Sequence, residues 1–298
     1  MTSLADNILA KFNARKGQGE TPAPHWSFDV WDKRIPLLEM FGPTIEGEGA
    51  VIGEQVFFLR VAGCDYKCKM CDSLHAVHPQ KFGPEAHYLT PHQIAEALVD
   101  YADVTGSAIR KVVLTGGNPA LYDFAPFISR LKEFSPLWEI LVETQGTFCP
   151  EWFADCDHVT VSPKGPGFGE KFESDKFMSC MRFLDEHTPS FNVKIVVFDV
   201  RDLEFASDVA QLLINWAGSD YYKYVPVFLS VGNHNTPTIV EMLKQQRIAT
   251  ELEDKDIVST CLAQYRNILE DVQQYPKLAP WRILPQMHVL LWSNAPLV

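Results

Sequence analysis

Residues 55–71 read QVFFLRVAGCDYKCKMC, a short apolar run that leads directly into a loop with three cysteines. The run is rich in Val, Phe and Leu, as a β-strand buried on both faces of a sheet usually is. The cysteines follow it with the spacing C-x3-C-x2-C, at Cys64, Cys68 and Cys71. This combination of a buried strand and a cysteine-rich loop is the feature on which the predicted fold and function both depend.

Short apolar segments and amphipathic stretches alternate along the rest of the chain. The predicted strands are residues 55–62, 111–115, 139–143, 158–162, 192–197 and 225–231. The predicted helices are residues 94–102, 124–134, 176–186, 203–216 and 257–275. Alternation of this kind is typical of a parallel α/β sheet or barrel with crossover helices, so we predict an α/β fold.

Glycine-rich and polar turns follow four consecutive predicted strands. They are Gly63-Cys64, Thr115-Gly116-Gly117-Asn118-Pro119, Glu143-Thr144-Gln145-Gly146-Thr147 and Ser162-Pro163-Lys164. In parallel α/β folds the chemistry gathers at the carboxyl ends of the strands. We therefore expect these four turns to line one site.

Composition and charge limit the classes of function. The chain has 298 residues, of which 46% are hydrophobic, and a net charge of −12. The acidic balance argues against broad binding to nucleic acid or anionic membranes, and no apolar run is long enough to span a bilayer. The polar N-terminus does not resemble a secretory signal. We therefore expect a cytoplasmic protein, in which clustered cysteines serve metal binding or catalysis rather than disulfides.

The chain divides into two parts on the same grounds. Residues 1–34 are predicted to form an N-terminal extension, with a short helix over residues 3–15. A stretch rich in Gly and Pro ends this helix before the strand and helix alternation begins. Residues 35–298 are predicted to form a single core domain.

The three cysteines permit two kinds of metal site. Thiolates are soft ligands that suit iron–sulfur clusters, zinc or copper. Three ligands in one short loop can hold three irons of a 4Fe–4S cluster and leave the fourth iron open to another molecule. Structural zinc takes four ligands, and His75 or His78 follows closely enough to supply the fourth. From the cysteines alone both alternatives stay open.

Longer motifs resemble two nested families. The cysteine loop and the Gly-Gly-x-Pro turn at 116–119 resemble those of the radical S-adenosylmethionine enzymes. A narrower resemblance, to the 7-carboxy-7-deazaguanine synthase family, covers most of residues 35–298. It is carried by FGPTIEGEG at 41–49, FLRVAGC at 58–64, CDS at 71–73, GGNPAL at 116–121, ETQGT at 143–147, SPK at 162–164 and LPQMHVLLW at 284–292. The resemblance implies a partial parallel (β/α)6 barrel with the cluster loop after its first strand.

The same resemblance implies an activity and its cofactors. The family converts 6-carboxy-5,6,7,8-tetrahydropterin to 7-carboxy-7-deazaguanine, on the route to queuosine and related bases. A 4Fe–4S cluster, S-adenosylmethionine and Mg²⁺ are the implied cofactors. The reduced cluster cleaves S-adenosylmethionine, and the resulting radical takes hydrogen from C6 of the pterin. The ring then contracts, ammonia leaves and S-adenosylmethionine is regenerated. No side chain is assigned as catalytic, because the radical comes from the cofactor.

The resemblance also implies site residues, which are assigned at the positions of this sequence that match the family's motifs. The implied cluster ligands are Cys64, Cys68 and Cys71, and the implied Mg²⁺ ligand is Ser73. The implied S-adenosylmethionine contacts are Met70, Asp72, Gly116, Gly117, Ser162, Lys164, Ser230 and Asn233. The implied substrate contacts are Ile45, Glu46, Gly47, Arg60, Thr115 and His288.

Some of the implied substrate contacts have a chemical reason, and one of them has an alternative role. The guanidinium of Arg60 suits the substrate carboxylate. Glu46 or Glu48 is expected to accept hydrogen bonds from the aminopyrimidine edge of the pterin. His288 lies in an apolar run, so a buried core histidine is an equal alternative.

The predicted partners are a small pterin, a flavodoxin-like electron donor and a second copy of the chain in a homodimer, with no nucleic acid and no membrane. Lys67 and Lys69 beside the cysteines suit an acidic donor, and a solvated loop is the alternative. Two other functions stay open. One is an activase that places a glycyl radical on a partner protein. The other is a non-enzymatic zinc module built on the three cysteines and His75.

We predict that changing Cys64, Cys68 or Cys71 to Ala abolishes cluster binding, because each thiolate holds a different iron. Iron and sulfide content after anaerobic reconstitution measures this. The scattered cysteines serve as controls, and Ala at Cys149, Cys156, Cys180 or Cys261 should leave the iron content near that of the wild type. A triple variant that still holds a full cluster would contradict the assignment.

Overall fold

A mostly parallel sheet forms the centre of the protein. The computed structural model describes residues 34–77, 86–233 and 256–293, and the strands within these ranges form one nine-stranded sheet. In chain order the strands are β1 (Ile35–Ile45), β2 (Gln55–Val61), β3 (His87–Leu89), β4 (Lys111–Gly116), β5 (Glu139–Thr144), β6 (His158–Val161), β7 (Phe191–Val197), β8 (Val227–Val231) and β9 (Arg282–Leu284). Their order in the sheet is β3-β1-β2-β4-β5-β6-β7-β8-β9.

Parallel pairing runs without interruption from β2 through β4 to β9. β1 pairs antiparallel with β2 and with β3 and extends the sheet at one side. No pairing joins β3 to β9 among the described residues, so the barrel is not closed. The predicted α/β fold with a partial parallel barrel is confirmed.

Most of the α-helices pack apolar side chains against the sheet. The α-helices are α1 (Leu74–Val77), α2 (Pro91–Val104), α3 (Ala125–Phe134), α4 (Ser174–His187), α5 (Val200–Ala217), α6 (Ile257–Asp271) and α7 (Met287–Trp292). Thr90 caps α2, with its side chain accepting from the Gln93 N–H. Among the described residues no helix is both long and apolar enough to cross a membrane.

All six predicted strands and five of the six predicted helices are confirmed, with small shifts at their ends. The sixth predicted helix, over residues 3–15, lies outside the described residues. The sequence interpretation missed β3 and β9, which have only three residues each. It also missed β1, because Gly42-Pro43 in its middle looks like a turn. In the structure Pro43 lies at a register shift between Phe41 and Thr44, where the β1–β2 ladder does not need its N–H. The strand before the cysteine loop is therefore the second along the chain and the first of the parallel series.

Successive side chains along the parallel strands point alternately to the core under the helices and to the interior of the barrel. On β2 the side chains of Phe57, Leu59 and Val61 are fully buried in the core under the helices. The residues between them, Phe58 and Arg60, point to the other face and line a cavity. The two-residue period of a strand thus decides which side chains reach the site.

Candidate active site

One cavity of about 560 Å³ lies at the carboxyl edge of the parallel strands. The four polar turns that follow the predicted strands all contribute to its wall. Seventeen of the proposed site residues line it: Ile45, Glu46, Gly47, Arg60, Cys64, Cys68, Met70, Cys71, Asp72, Ser73, Thr115, Gly116, Gly117, Ser162, Lys164, Asn233 and His288. Their individual roles stay predictions.

Ser230 is the exception. It lies on β8, is fully buried and does not line the cavity. Its hydroxyl oxygen has no hydrogen-bond partner among the described residues. A direct contact between Ser230 and a ligand in this cavity is therefore not supported by its position.

The cysteine loop is held in place through Asp65. One oxygen of its carboxylate, Oδ1, accepts hydrogen bonds from Asn118 Nδ2 at 2.8 Å and from Gln145 Nε2 at 2.6 Å. Gln145 Nε2 also lies 3.6 Å from Cys64 Sγ. The turns after β4 and β5 therefore fix the loop that follows β2.

Asn118 lies at the centre of the hydrogen bonds that hold the cysteine loop. It is fully buried, and its Oδ1 accepts from Thr144 Oγ1 at 3.0 Å and from the Ala120 N–H at 3.2 Å. The backbone of the neighbouring Gly117 also packs closely, because a Cβ at Gly117 would overlap the carbonyl group of Gly63. The sequence interpretation used Asn118 only as part of a motif and missed this role, since no local pattern shows that Asp65 is its partner.

The environment of the cysteines is apolar on one side. Cys68 packs with Phe168, Val196 and Phe198, and Met70 is partly buried against the same cluster. Burial raises the pKa of Cys64 to about 11 and that of Cys68 to about 12. Both are therefore protonated at neutral pH until a metal displaces the proton. Three soft donors from one loop, beside an open cavity, fit an iron–sulfur cluster with one iron left for a second ligand.

The zinc alternative gains no support. Among the described residues no group of three or more His, Cys, Asp or Glu side chains is arranged to hold a single metal ion. His75 instead lies 3.3 Å from the carboxylate of Glu39. His78, the other candidate for a fourth ligand, lies outside the described residues.

A buried lysine organises a further part of the cavity wall. Lys194 on β7 reaches Glu48 Oε2 at 2.6 Å and Glu143 Oε1 at 3.0 Å. The second oxygen of Glu143 accepts from Thr115 Oγ1 at 2.8 Å, and Gln286 Nε2 donates to Glu48 Oε1 at 3.1 Å. This network joins β4, β5, β7, the loop after β1 and the residue before α7.

Mutual ion pairing keeps the ammonium of Lys194 and the carboxylates of Glu48 and Glu143 charged. Burial raises the pKa of each carboxyl. The charge and hydrogen bond of Lys194, together with the charge of His288 at Glu48 and the hydrogen bond from Thr115 at Glu143, leave the pKa of both carboxyls lowered. Burial lowers the pKa of Lys194, and its two carboxylate partners reverse this and raise it. The sequence interpretation missed Lys194 and gave Glu143 no role beyond its place in a turn expected to line the site. A charged residue inside an apolar strand was a usable signal, as it was for Arg60.

Arg60 is oriented by two neighbours. Its Nε donates to Glu39 Oε2 at 2.5 Å, and its Nη1 donates to Ser73 Oγ at 2.9 Å. The Ser73 hydroxyl in turn donates to Asp72 Oδ1 at 3.0 Å. Burial raises the pKa of Glu39, but a hydrogen bond from His75 and the charge of Arg60 leave it lowered overall. Glu39 is therefore an anion that holds the guanidinium at the cavity wall.

His288 lies on α7 and contacts the loop after β1. A Cβ at Gly47 would overlap the His288 ring, and the Met287 N–H donates to the Gly47 carbonyl at 3.0 Å. His288 is only partly buried and lines the cavity. Its position therefore differs from that of a fully buried core histidine.

We predict that Asn118→Asp weakens the cysteine loop, because it removes the amide donor and places a second carboxylate beside Asp65. The expected loss is about 1–3 kcal/mol of unfolding free energy, together with a lower iron content after reconstitution. Thermal unfolding and iron analysis measure the two effects. Asn215→Asp on the exposed face of α5 is the matched control. Unchanged stability and iron content in Asn118→Asp would show that Asp65 does not need this partner.

Comparisons with known proteins agree with the geometry. The family model of the radical SAM superfamily matches residues 59–166. The 7-carboxy-7-deazaguanine synthase of Bacillus subtilis (strain 168) is 34% identical over 265 residues, which cover 88% of this chain and 98% of that protein. The enzyme of the same name from Bacillus cereus is 32% identical over 262 residues, with the same coverage of 88% and 98%. The crystal structure of QueE from Escherichia coli shares the fold, with a TM-score of 0.52 at 21% identity over 89% of this chain and 100% of that one. The chain therefore belongs to the 7-carboxy-7-deazaguanine synthase family within the radical SAM superfamily.

Proposed function

We propose that the protein converts 6-carboxy-5,6,7,8-tetrahydropterin to 7-carboxy-7-deazaguanine by a radical ring contraction with loss of ammonia. The observation that carries this proposal is that the cysteine loop and a pocket of fixed charges share one cavity. The loop suits the radical-generating cofactors, and the charged pocket suits a carboxylated pterin. Neither the glycyl-radical activase nor the zinc module gains support from the comparisons.

The residues present fit the two cofactors that the radical SAM family implies. When bound, the cluster and S-adenosylmethionine supply a 5′-deoxyadenosyl radical. Cys64, Cys68 and Cys71 would hold the cluster. Gly117, with its backbone packed against Gly63, leaves no side chain between β4 and a ligand. Lys164 Nζ donates to Ser162 Oγ at 2.9 Å, which keeps a cation at the wall for the carboxylate of the amino acid part of S-adenosylmethionine.

Fixed charges in the same cavity suit the substrate. Glu39 and Ser73 fix the guanidinium of Arg60, so it can bind the pterin carboxylate with little loss of side-chain freedom. Glu48 and Glu143 are anions held by Lys194, and their oxygens suit the N–H donors of the aminopyrimidine edge. The pterin would therefore be bound at both ends, with its reacting carbon between them.

Further parts of the proposal rest on the resemblance and on position. Ser73 would bind Mg²⁺, and Lys67 and Lys69, both exposed beside the cysteines, would meet a flavodoxin-like electron donor. The protein would act as a homodimer in the cytoplasm. Residues 1–34 would be an extension outside the core domain of residues 35–298.

The direct test is anaerobic incubation of the reconstituted protein with a reductant, S-adenosylmethionine and the carboxy-tetrahydropterin. We expect a product with the mass of 7-carboxy-7-deazaguanine and release of ammonia. Cys64→Ala should give none, and Cys261→Ala should give the wild-type amount. A fully loaded wild-type protein that cleaves S-adenosylmethionine but leaves the pterin unchanged would contradict the proposal.

We predict that Ser73→Ala retains the cluster and S-adenosylmethionine binding but loses the magnesium dependence of turnover, because Mg²⁺ requires oxygen ligands. Ser73→Thr keeps the oxygen and should behave as the wild type. The measurement is the initial rate against magnesium concentration under anaerobic conditions. The competing role of Ser73 is to orient Arg60 through the 2.9 Å hydrogen bond. In that case Ser73→Ala binds the pterin more weakly while its magnesium curve matches that of the wild type.

A further inference from the structure

Glu46 has an unusual position immediately after β1. Only 5% of the residue is exposed to solvent, and it lines the cavity. One oxygen, Oε1, accepts from the Gly47 N–H at 2.8 Å and from the Glu48 N–H at 3.1 Å. The other oxygen, Oε2, is buried and has no hydrogen-bond partner among the described residues. A buried carboxylate oxygen without a donor is strongly disfavoured.

The balance of charges around Glu46 also disfavours its ionised form. Three carboxyl groups, of Glu46, Glu48 and Glu143, lie close to the one ammonium of Lys194. The ion pairs of Lys194 go to Glu48 and Glu143. A third anion in this buried cluster would share Lys194 with two carboxylates that are already paired with it. Burial and the charge of Glu143 raise the pKa of Glu46 well above its usual value, against the opposing effect of Lys194.

We propose that Glu46 is a neutral carboxylic acid in the working enzyme and that its Oε2–H donates a hydrogen bond to the carbonyl oxygen of the pterin. This inference rests on the proposed function. The pyrimidinone edge of a pterin presents N–H donors and one carbonyl acceptor. Glu48 and Glu143, as anions, can serve only the donors. A protonated Glu46 supplies the donor that the carbonyl needs and that an ionised Glu46 would lack.

The proposal gives substrate binding a pH dependence. The groups that face Glu46 are Glu143 on β5, Lys194 on β7, Glu48 in its own loop and, beside that loop, His288 on α7. Because the pKa of Glu46 in the folded protein is raised, the acid form is present below that pKa and is lost as the pH rises through it. Affinity for the pterin should therefore fall about tenfold for each pH unit above the folded pKa.

The test measures pterin affinity by anaerobic titration of the reconstituted holoenzyme with S-adenosylmethionine present, from about pH 6 to about pH 9, where documented buried glutamates titrate. The wild-type affinity should fall across this range. Glu46→Gln should bind the pterin without this fall, since an amide donates at every pH. Glu54→Gln is the matched control, because Glu54 pairs with Lys111 at the surface, and it should follow the wild-type curve.

A second measurement does not need the substrate. Infrared difference spectroscopy of the wild type should show the carbonyl band of a neutral carboxylic acid at pH 7 that disappears at high pH and is absent from Glu46→Gln. Iron content confirms that each variant folds, and the wild-type titration alone decides the matter if Glu46→Gln does not fold.

Three results would count against the proposal in different ways. A wild-type curve as flat as that of Glu46→Gln overturns the hydrogen bond, and the absence of the acid band overturns the neutral form. If product still forms in either case, the proposed function stands while this inference fails. If the wild type neither binds nor converts the pterin at any pH, the proposed function fails and the hydrogen bond to the pterin fails with it.

Discussion

Parallel pairing from β2 to β9 is the constraint on which the site depends. It brings the carboxyl ends of consecutive strands to one edge, so turns that are far apart in sequence become neighbours. The register is specific, since Arg60 pairs with Thr115 and Val61 pairs with Gly116. This places the cysteine loop directly beside the glycine turn, and the hydrogen bonds from Asn118 and Gln145 to Asp65 then fix that loop.

Charged side chains within apolar strands complete the site. Arg60 and Lys194 both point into the barrel, and each is held by carboxylates from other elements. A cation with such partners can stay charged in a largely buried place, whereas an unpaired one could not. The Lys194 network ties the loop after β1 and the residue before α7 to the barrel, so the cavity depends on parts of the chain at both ends of the core.

The sequence was sufficient for six of the nine described strands, for the crossover helices and for the cysteine loop, because each is encoded by a local pattern of apolar residues or by spacing. It was insufficient for β1, whose Gly42-Pro43 imitates a turn. It also did not show that Asn118 binds Asp65 or that Lys194 joins Glu48 to Glu143, because these pairs are separated by 53, 146 and 51 residues. Charged residues in apolar strands were visible in the sequence, but their partners depend on the strand register.

The central claim is that one cavity holds the radical-generating cofactors and the pterin together. The most direct measurement uses the carboxy-tetrahydropterin with deuterium at C6, incubated anaerobically with the reduced protein and unlabelled S-adenosylmethionine. We expect deuterium to accumulate in recovered S-adenosylmethionine while the deazaguanine product forms. Product formation with all S-adenosylmethionine unlabelled, or cleavage of S-adenosylmethionine with deuterium retained in unchanged pterin, would contradict it.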